Sequence, residues 1–430
     1  MKKLYSLSLA LVIMLTCILS GCGQNKEIEA DTTESVSSIS LLNIKSEVAS
    51  QLEALAQQYE KDTGVKVNIM TVQSGVDAQA TLKGYYLSDQ MPDIIACESS
   101  GFGNWEGLLV DMSDQAWASR TDAAYKDSTY GTLGFPYTTE AIGLAYNKDI
   151  LTKAGVDPAS ITGPDAMKKA FETIDAKKEQ LGLKAVIGYS AEPENLGWSA
   201  GNHLTGAYID SGLSRSDTTY IDLMSNGGGV DENRLTHYAE MIGLFNEYSD
   251  PDLLVSGTYD DQVAGFAAGK YAFVTQGSWI GATLSGSDDY AKAGSFEVGM
   301  APYAFEDGMD TILTSAPNWW AVPKEGNVDA ALAFLQWCSE DSAQQILVEQ
   351  AGFVSPFVDC KYVASDPFAP VISSYISSGK TSSWHWMEMT EGLGQKGLSF
   401  VYQKFAKGEL DVSGFVKEFK KVATEWYSKL

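Results

Sequence analysis

Residues 39–70 read ISLLNIKSEVASQLEALAQQYEKDTGVKVNIM, and two changes of pattern within them decide the fold. Ile39 to Ile44 is a short apolar run suited to a buried strand. Val48, Leu52, Leu55, Ala56 and Tyr59 then recur at helical spacing, and Lys61-Asp62-Thr63-Gly64 stops that helix on a glycine. Val65, Val67 and Ile69 alternate with Lys66, Asn68 and Met70, which predicts a second strand. Strand, helix and strand within about thirty residues make a βαβ unit, so the sheet begins parallel.

The alternation continues outward from this unit. Strands are predicted at 93–97, 142–146, 186–189, 271–275, 296–301 and 319–322. Helices are predicted at 166–178, 329–339 and 413–427, each with its apolar residues on one side. The fold class is therefore α/β. A chain of 430 residues with a hydrophobic fraction of 44% has ample material for a large body, and two or three lobes are expected at roughly 150 residues each. The net charge of -26 argues against nucleic acid and anionic lipid as surface partners.

Ahead of the first strand the composition changes twice. Lys2 and Lys3 precede an uncharged apolar core from Leu9 to Leu19, which is too short for a stable membrane anchor. Residues 1–21 are thus expected to be an export signal, and their removal takes two lysines and leaves a net charge of -28. Leu19-Ser20-Gly21-Cys22 resembles the lipobox of bacterial lipoproteins, in which the Cys is lipidated and becomes the mature N-terminus. Two acyl chains on Cys22 would hold the protein at the extracytoplasmic face of the membrane. Residues 22–38 are then a lipidated Cys and a polar, flexible tether. Beyond Cys17 and Cys22, three cysteines remain, an odd number without framework spacing. Cys97 lies in an apolar run and reads as a buried thiol, and a Cys338–Cys360 bridge is left open.

Four segments carry a resemblance. They are Leu55 to Val67; Gly134 to Leu151 with Lys153-Ala154-Gly155; Phe266 to Trp279; and Ala330 to Phe334 with Ser342-Ala-Gln344 and Gly352 to Pro356. In this order and spacing the chain resembles the extracellular solute-binding proteins of ABC importers, of the sugar-binding type related to maltose-binding protein. One departure is Ile161-Thr-Gly-Pro164, which stands where the family usually has a helix-start Trp. The resemblance implies a two-lobed periplasmic-binding-protein type II fold with the ligand cleft between the lobes. It implies one lobe from 39–139 plus 300–340 and another from 143–298 plus 341–430, with crossings near 139–143, 299–302 and 340. It further implies hinge closure on a carbohydrate, ABC permease subunits as partners, a monomer and no catalysis.

A sugar presents apolar C–H faces and a rim of hydroxyls, so its site needs aromatic plates and polar groups. Most of the ten Trp and twenty-one Tyr must fill core, and the useful ones sit on loops at strand ends. Trp279, after the Gly277-Ser278 turn, matches a position that stacks on sugar in the resembled family. Trp384 and Trp386 lie in the polar, loop-like stretch Ser382-Ser-Trp-His-Trp-Met-Glu, and Trp198 is a plate from the second lobe. Trp319 and Trp320 are adjacent in a strand, so at most one reaches the cleft. The polar candidates are Ser46 and Glu47 after the first strand, and Glu98 and Asn104 with Trp105 after the third. Glu47 could equally serve the following helix N-terminus, and Glu140 is expected to bond the hinge backbone.

Other readings have less behind them. Gly197-Trp198-Ser199-Ala200-Gly201 matches the hydrolase elbow pattern with His385 downstream, but no strand runs into the serine. A serine hydrolase using Ser199 and His385, and a binding protein for another small polar ligand, are the alternatives. His203, His237 and His385 are isolated, and no metal or cofactor motif is present, so neither is expected.

Overall fold

The computed structural model describes residues 38–73 and 76–429. The expected export signal, Cys22 and the tether up to residue 37 lie outside the described residues, while Ser38, expected to end the tether, opens the first strand. In chain order the first strands are β1 (Ser38–Asn43), β2 (Lys66–Thr71), β3 (Ile94–Cys97), β4 (Tyr125–Asp127), β5 (Gly131–Pro136), β6 (Glu140–Ile142) and β7 (Leu144–Asn147). They are followed by β8 (Ala185–Gly188), β9 (Tyr271–Val274), β10 (Val298–Ala301), β11 (Ile312–Ser315), β12 (Trp319–Ala321) and β13 (Thr381–Ser382).

The opening βαβ unit folds as its pattern requires. Helix Ala49–Thr63 buries Leu52, Leu55, Ala56 and Tyr59, and it ends where Gly64 turns to φ 78°. That left-handed conformation costs glycine nothing and would strain most other residues. Strands β1 and β2 then pair in parallel, Ile39 beside Val67 and Leu41 beside Ile69. The full sheet has the order β2-β1-β3-β12-β5-β4. Its parallel start gives way at β12, which runs antiparallel to both β3 and β5.

Both faces of this sheet are covered, and strand alternation decides which side chain goes where. Leu41, Ile94, Ala96 and Trp320 face the helix side with Leu52, Leu55, Phe334 and Leu335. Leu42, Ile95, Cys97 and Trp319 face the other way, into the largest core. A second sheet, β10-β7-β9-β8, repeats the device. There Leu144, Ile187 and Phe273 join the largest core, while Ala145, Tyr271, Val274 and Met300 face a third one.

The chain passes between the sheets in three places. The first pass is at β6, directly after β5, near the expected 139–143. The second and third differ in position from those that the resemblance implies. Strand β10 pairs antiparallel with β7, and Tyr303, Ala304 and Phe305 remain in the largest core, so the next pass falls between β11 and β12. Residues Ala343, Ile346, Leu347, Phe353 and Phe357 still pack beneath the first sheet, whereas Phe368 and Ile372 lie beneath the second. The third pass therefore lies between 357 and 368. A small sheet, β13-β11-β6, ties these segments together. Thr139 N–H donates to the Val354 carbonyl at 2.8 Å beside it.

Cys97, Cys338 and Cys360 are free thiols, the first two buried. Among the described residues no helix is long and apolar enough to cross a membrane.

Candidate functional site

Three strand ends of the first sheet supply one wall of a cavity of about 290 Å³. After β1 the Asn43 side chain makes a tight turn: its Nδ2 donates to the Lys45 carbonyl at 2.8 Å, and its Oδ1 accepts from Lys45 N–H at 2.9 Å. The turn directs the Lys45 ammonium inward, 3.2 Å from Glu47 and in a second ion pair with Glu140 of β6. Lys45 and Glu140 are each 6% exposed, so both charges are held by each other rather than by water. Burial opposes the Lys45 charge, but Glu140 and Glu47 together raise its pKa above the ordinary range. Burial raises that of Glu140, with Lys45 acting against the rise.

Glu98, which follows β3, and Asn318, which precedes β12, complete this wall. Asn318 is fixed by the Tyr137 hydroxyl, which donates to its side-chain oxygen. The Glu98 carboxyl is pushed up to about 7 by burial, against the pull of Lys45.

The opposite wall is aromatic. His203 stands at its centre, with ring centroids 4.9 Å from Trp279, 5.1 Å from Trp386, 5.3 Å from Trp198 and 6.0 Å from Trp384. Burial, helped by the Lys45 charge, pushes the His203 pKa down to about 3, so the imidazole is neutral at pH 7. Trp279 is placed by its own loop. Ser278 and Ala141 exchange hydrogen bonds at 2.9 Å, and the Trp279 indole N–H donates to Gln276 at 3.0 Å. A Cβ on Gly277 would lie 2.5 Å from the Ala141 carbonyl oxygen, so only glycine allows the loop this close to β6.

The rim is bridged by polar contacts. Asp77, at the start of helix Ala78–Leu87, meets Lys396 at 2.9 Å. Asn104 donates to Glu391 at 3.0 Å, and Lys83 lies 3.6 Å from the same carboxylate.

The expected site residues divide accordingly. Ser46, Glu47, Glu98, Trp198, Trp279, Trp384 and Trp386 all line the cavity. Asn104, Trp105 and Trp319 are not in its lining. Asn104 serves the rim. Trp105 is 2% exposed and donates to Gln79 at 3.2 Å. Trp319 is 6% exposed, packs on Tyr125 and Phe102, and donates to the Ala123 carbonyl at 2.7 Å. Glu140, expected to bond the hinge backbone, instead holds Lys45. Lys45, His203, Tyr259, Asn318 and Lys396 line the cavity without having been singled out. Only Lys45 left a signal, as a lysine two residues past a buried strand.

The hydrolase constellation does not assemble. Ser199 lies in the π-helical turn Trp198–Leu204 after helix Pro193–Gly197, not on a strand-to-helix elbow. Its hydroxyl accepts from Gln276 at 3.2 Å, while His385 pairs with Asp210 at 2.6 Å. Among the described residues no cluster of three His, Cys, Asp or Glu is arranged to hold a metal ion.

Comparison with known proteins agrees with this architecture. The model of the family "Bacterial extracellular solute-binding protein" matches residues 54–369. An uncharacterized ABC transporter extracellular-binding protein of Pyrococcus horikoshii is 22% identical over 411 residues, covering 89% of this chain and 86% of that one. A maltooligosaccharide ABC transporter solute-binding lipoprotein of Streptococcus pneumoniae is 23% identical over 316 residues, covering 70% and 68%. Among solved structures, the binding protein RafE in complex with raffinose superposes with a TM-score of 0.71 at 18% identity, over 91% of this chain and 99% of that one. The fold is thus that of the two-lobed binding proteins, and the chain belongs to the bacterial extracellular solute-binding proteins.

Proposed function

We propose that the protein captures an oligosaccharide in the cavity between its two walls and hands it to the permease of an ABC importer. One observation carries this reading. Four indoles gathered around a neutral imidazole face a wall of carboxylates, an amide and a paired lysine across a single cavity. Indole faces suit the C–H faces of a pyranose, and fixed carboxylates and amides suit its hydroxyls. The sugar-binding relatives support the same class of ligand. The ligand-binding set proposed is Trp198, Trp279, Trp384, Trp386, Ser46, Glu47 and Glu98, with Lys45, His203 and Asn318 added.

The lobes, one around each large sheet, would close by bending at the three passes, and the rim contacts of Asp77 and Asn104 would form on closure. The protein would act as a monomeric, non-catalytic receptor. Acylation of Cys22 would retain it at the extracytoplasmic membrane face, with residues 22–37 as the tether. Calorimetric and fluorescence titration with neutral oligosaccharides tests the reading, with ester and glycoside turnover assayed in parallel. Saturable binding without turnover supports it. Turnover that Ser199→Ala abolishes would sink it.

A further inference from the structure

The charges lining the cavity are unequal. Glu47, Asp77, Glu98, Glu140 and Glu391 contribute five carboxylates, while Lys45 and Lys396 are the only cations among the described lining residues. Neither lysine is available to a ligand as a free charge. Lys45 is shared between Glu47 and Glu140, and Lys396 is held by Asp77. Glu391 has Lys83 and Asn104 at the rim. Glu98 is left: it lines the cavity, and among the described residues its carboxylate makes no ion pair and accepts no hydrogen bond, the Lys45 charge reaching it only from farther off.

A neutral sugar needs hydrogen-bond acceptors, but it does not need an excess of negative charge. An anionic sugar would meet carboxylates on one wall and no free cation on either. A cation would find a counter-ion at Glu98 and, opposite, the indoles of Trp198 and Trp279, both of which keep part of their surface open. Indole faces attract cations as well as C–H groups, most strongly where water is excluded. His203, neutral within this wall, adds no opposing charge at pH 7.

We infer that the saccharide carries a positive charge, an amino sugar with an unacylated amine, and that Glu98 is its counter-ion and the residue that selects it. This inference rests on the oligosaccharide reading above and narrows it. The upward displacement of the Glu98 pKa agrees with it, because a nearby ammonium would offset the cost that burial places on the carboxylate.

The test compares three trisaccharides by titration calorimetry at pH 7: a glucosamine trimer with free amines, its fully N-acetylated counterpart, and a neutral glucose trimer. The wild-type protein is expected to bind the amine form at least tenfold more tightly than either neutral form. Glu98→Gln is expected to bring that ratio to within about twofold of unity, with thermal unfolding confirming that the variant is folded. Glu98→Asp should restore part of the preference. Equal or weaker binding of the amine form by the wild type would overturn the inference while leaving the oligosaccharide reading intact. A preference that Glu98→Gln leaves unchanged would likewise overturn the role of Glu98. Absence of binding to all saccharides, including the neutral oligomers of the broader panel, would remove both readings together.

Discussion

The two walls of the cavity are built from different materials and held in different ways. On the first, Lys45, Glu47 and Glu140 form a buried ionic knot whose members fix one another, and each would be costly without the others. On the second, Trp198, Trp279, Trp384 and Trp386 pack around His203, and only Trp198 and Trp279 add an indole hydrogen bond, to the Asn195 carbonyl and to Gln276. Loss of a member of the ionic knot should therefore register as lost stability. Loss of a second-wall plate should register mainly as lost affinity.

Four measurements test this contrast. The largest effect is expected from Lys45→Ala, which leaves the buried Glu140 carboxylate without its cation beside the half-buried Glu47 and should cost about 3–5 kcal/mol in denaturant unfolding. A cost below about 1 kcal/mol would mean that the knot is hydrated and unimportant to the fold.

Next come two opposite pH dependences. The Glu98 pKa is raised from 4.5 to about 7 in the folded state, so its burial destabilises the protein progressively from pH 4.5 to 7 and fully above that. Glu98→Gln should therefore raise stability at pH 8 by up to about 3 kcal/mol, with no gain below pH 4.5. His203 is lowered from 6.5 to about 3, so its contribution is complete above pH 6.5 and is lost as the pH falls toward 3. His203→Gln should flatten that acid limb alone. Thermal melts of both variants from pH 4 to 8 check the two signs.

The third prediction concerns the plates. Trp279→Ala should weaken saccharide binding by about 1.5–3 kcal/mol, roughly ten- to a hundredfold, with a smaller change in unfolding free energy. The smallest effect is expected at the rim. Lys396 is 59% exposed at its side chain, and Lys396→Ala should change stability by no more than about 1 kcal/mol. Its effect on affinity, read by calorimetry, should shrink further at high salt.

Much of this was legible in the chain, and unevenly so. The opening βαβ unit was readable because its strand and helix periods switch cleanly, and because Gly64 marks the boundary. Strands β11 and β13 were not, since each is a few residues long and is defined by its partner rather than by its own pattern. The second pass falls later than the resemblance implies for a similar reason: β10 pairs back onto β7, a long-range pairing that local composition does not encode. In the site, Trp279, Trp384, Trp386 and Trp198 were visible as aromatics on loops. Trp105 on its loop and Trp319 in its strand were candidates too, yet each turns its indole N–H to a protein acceptor, Gln79 and the Ala123 carbonyl, and packs away from the cavity. His203 was passed over as an isolated histidine, because its four indole neighbours come from three separate segments.

The central claim is that both walls act on one saccharide. The most direct measurement is calorimetric titration of the oligosaccharide panel into the wild-type protein and into Trp279→Ala at pH 7. The account predicts saturable, one-to-one binding by the wild type and a roughly ten- to hundredfold weaker constant in the variant. No binding to any saccharide, or an affinity untouched by loss of the Trp279 indole, would contradict it.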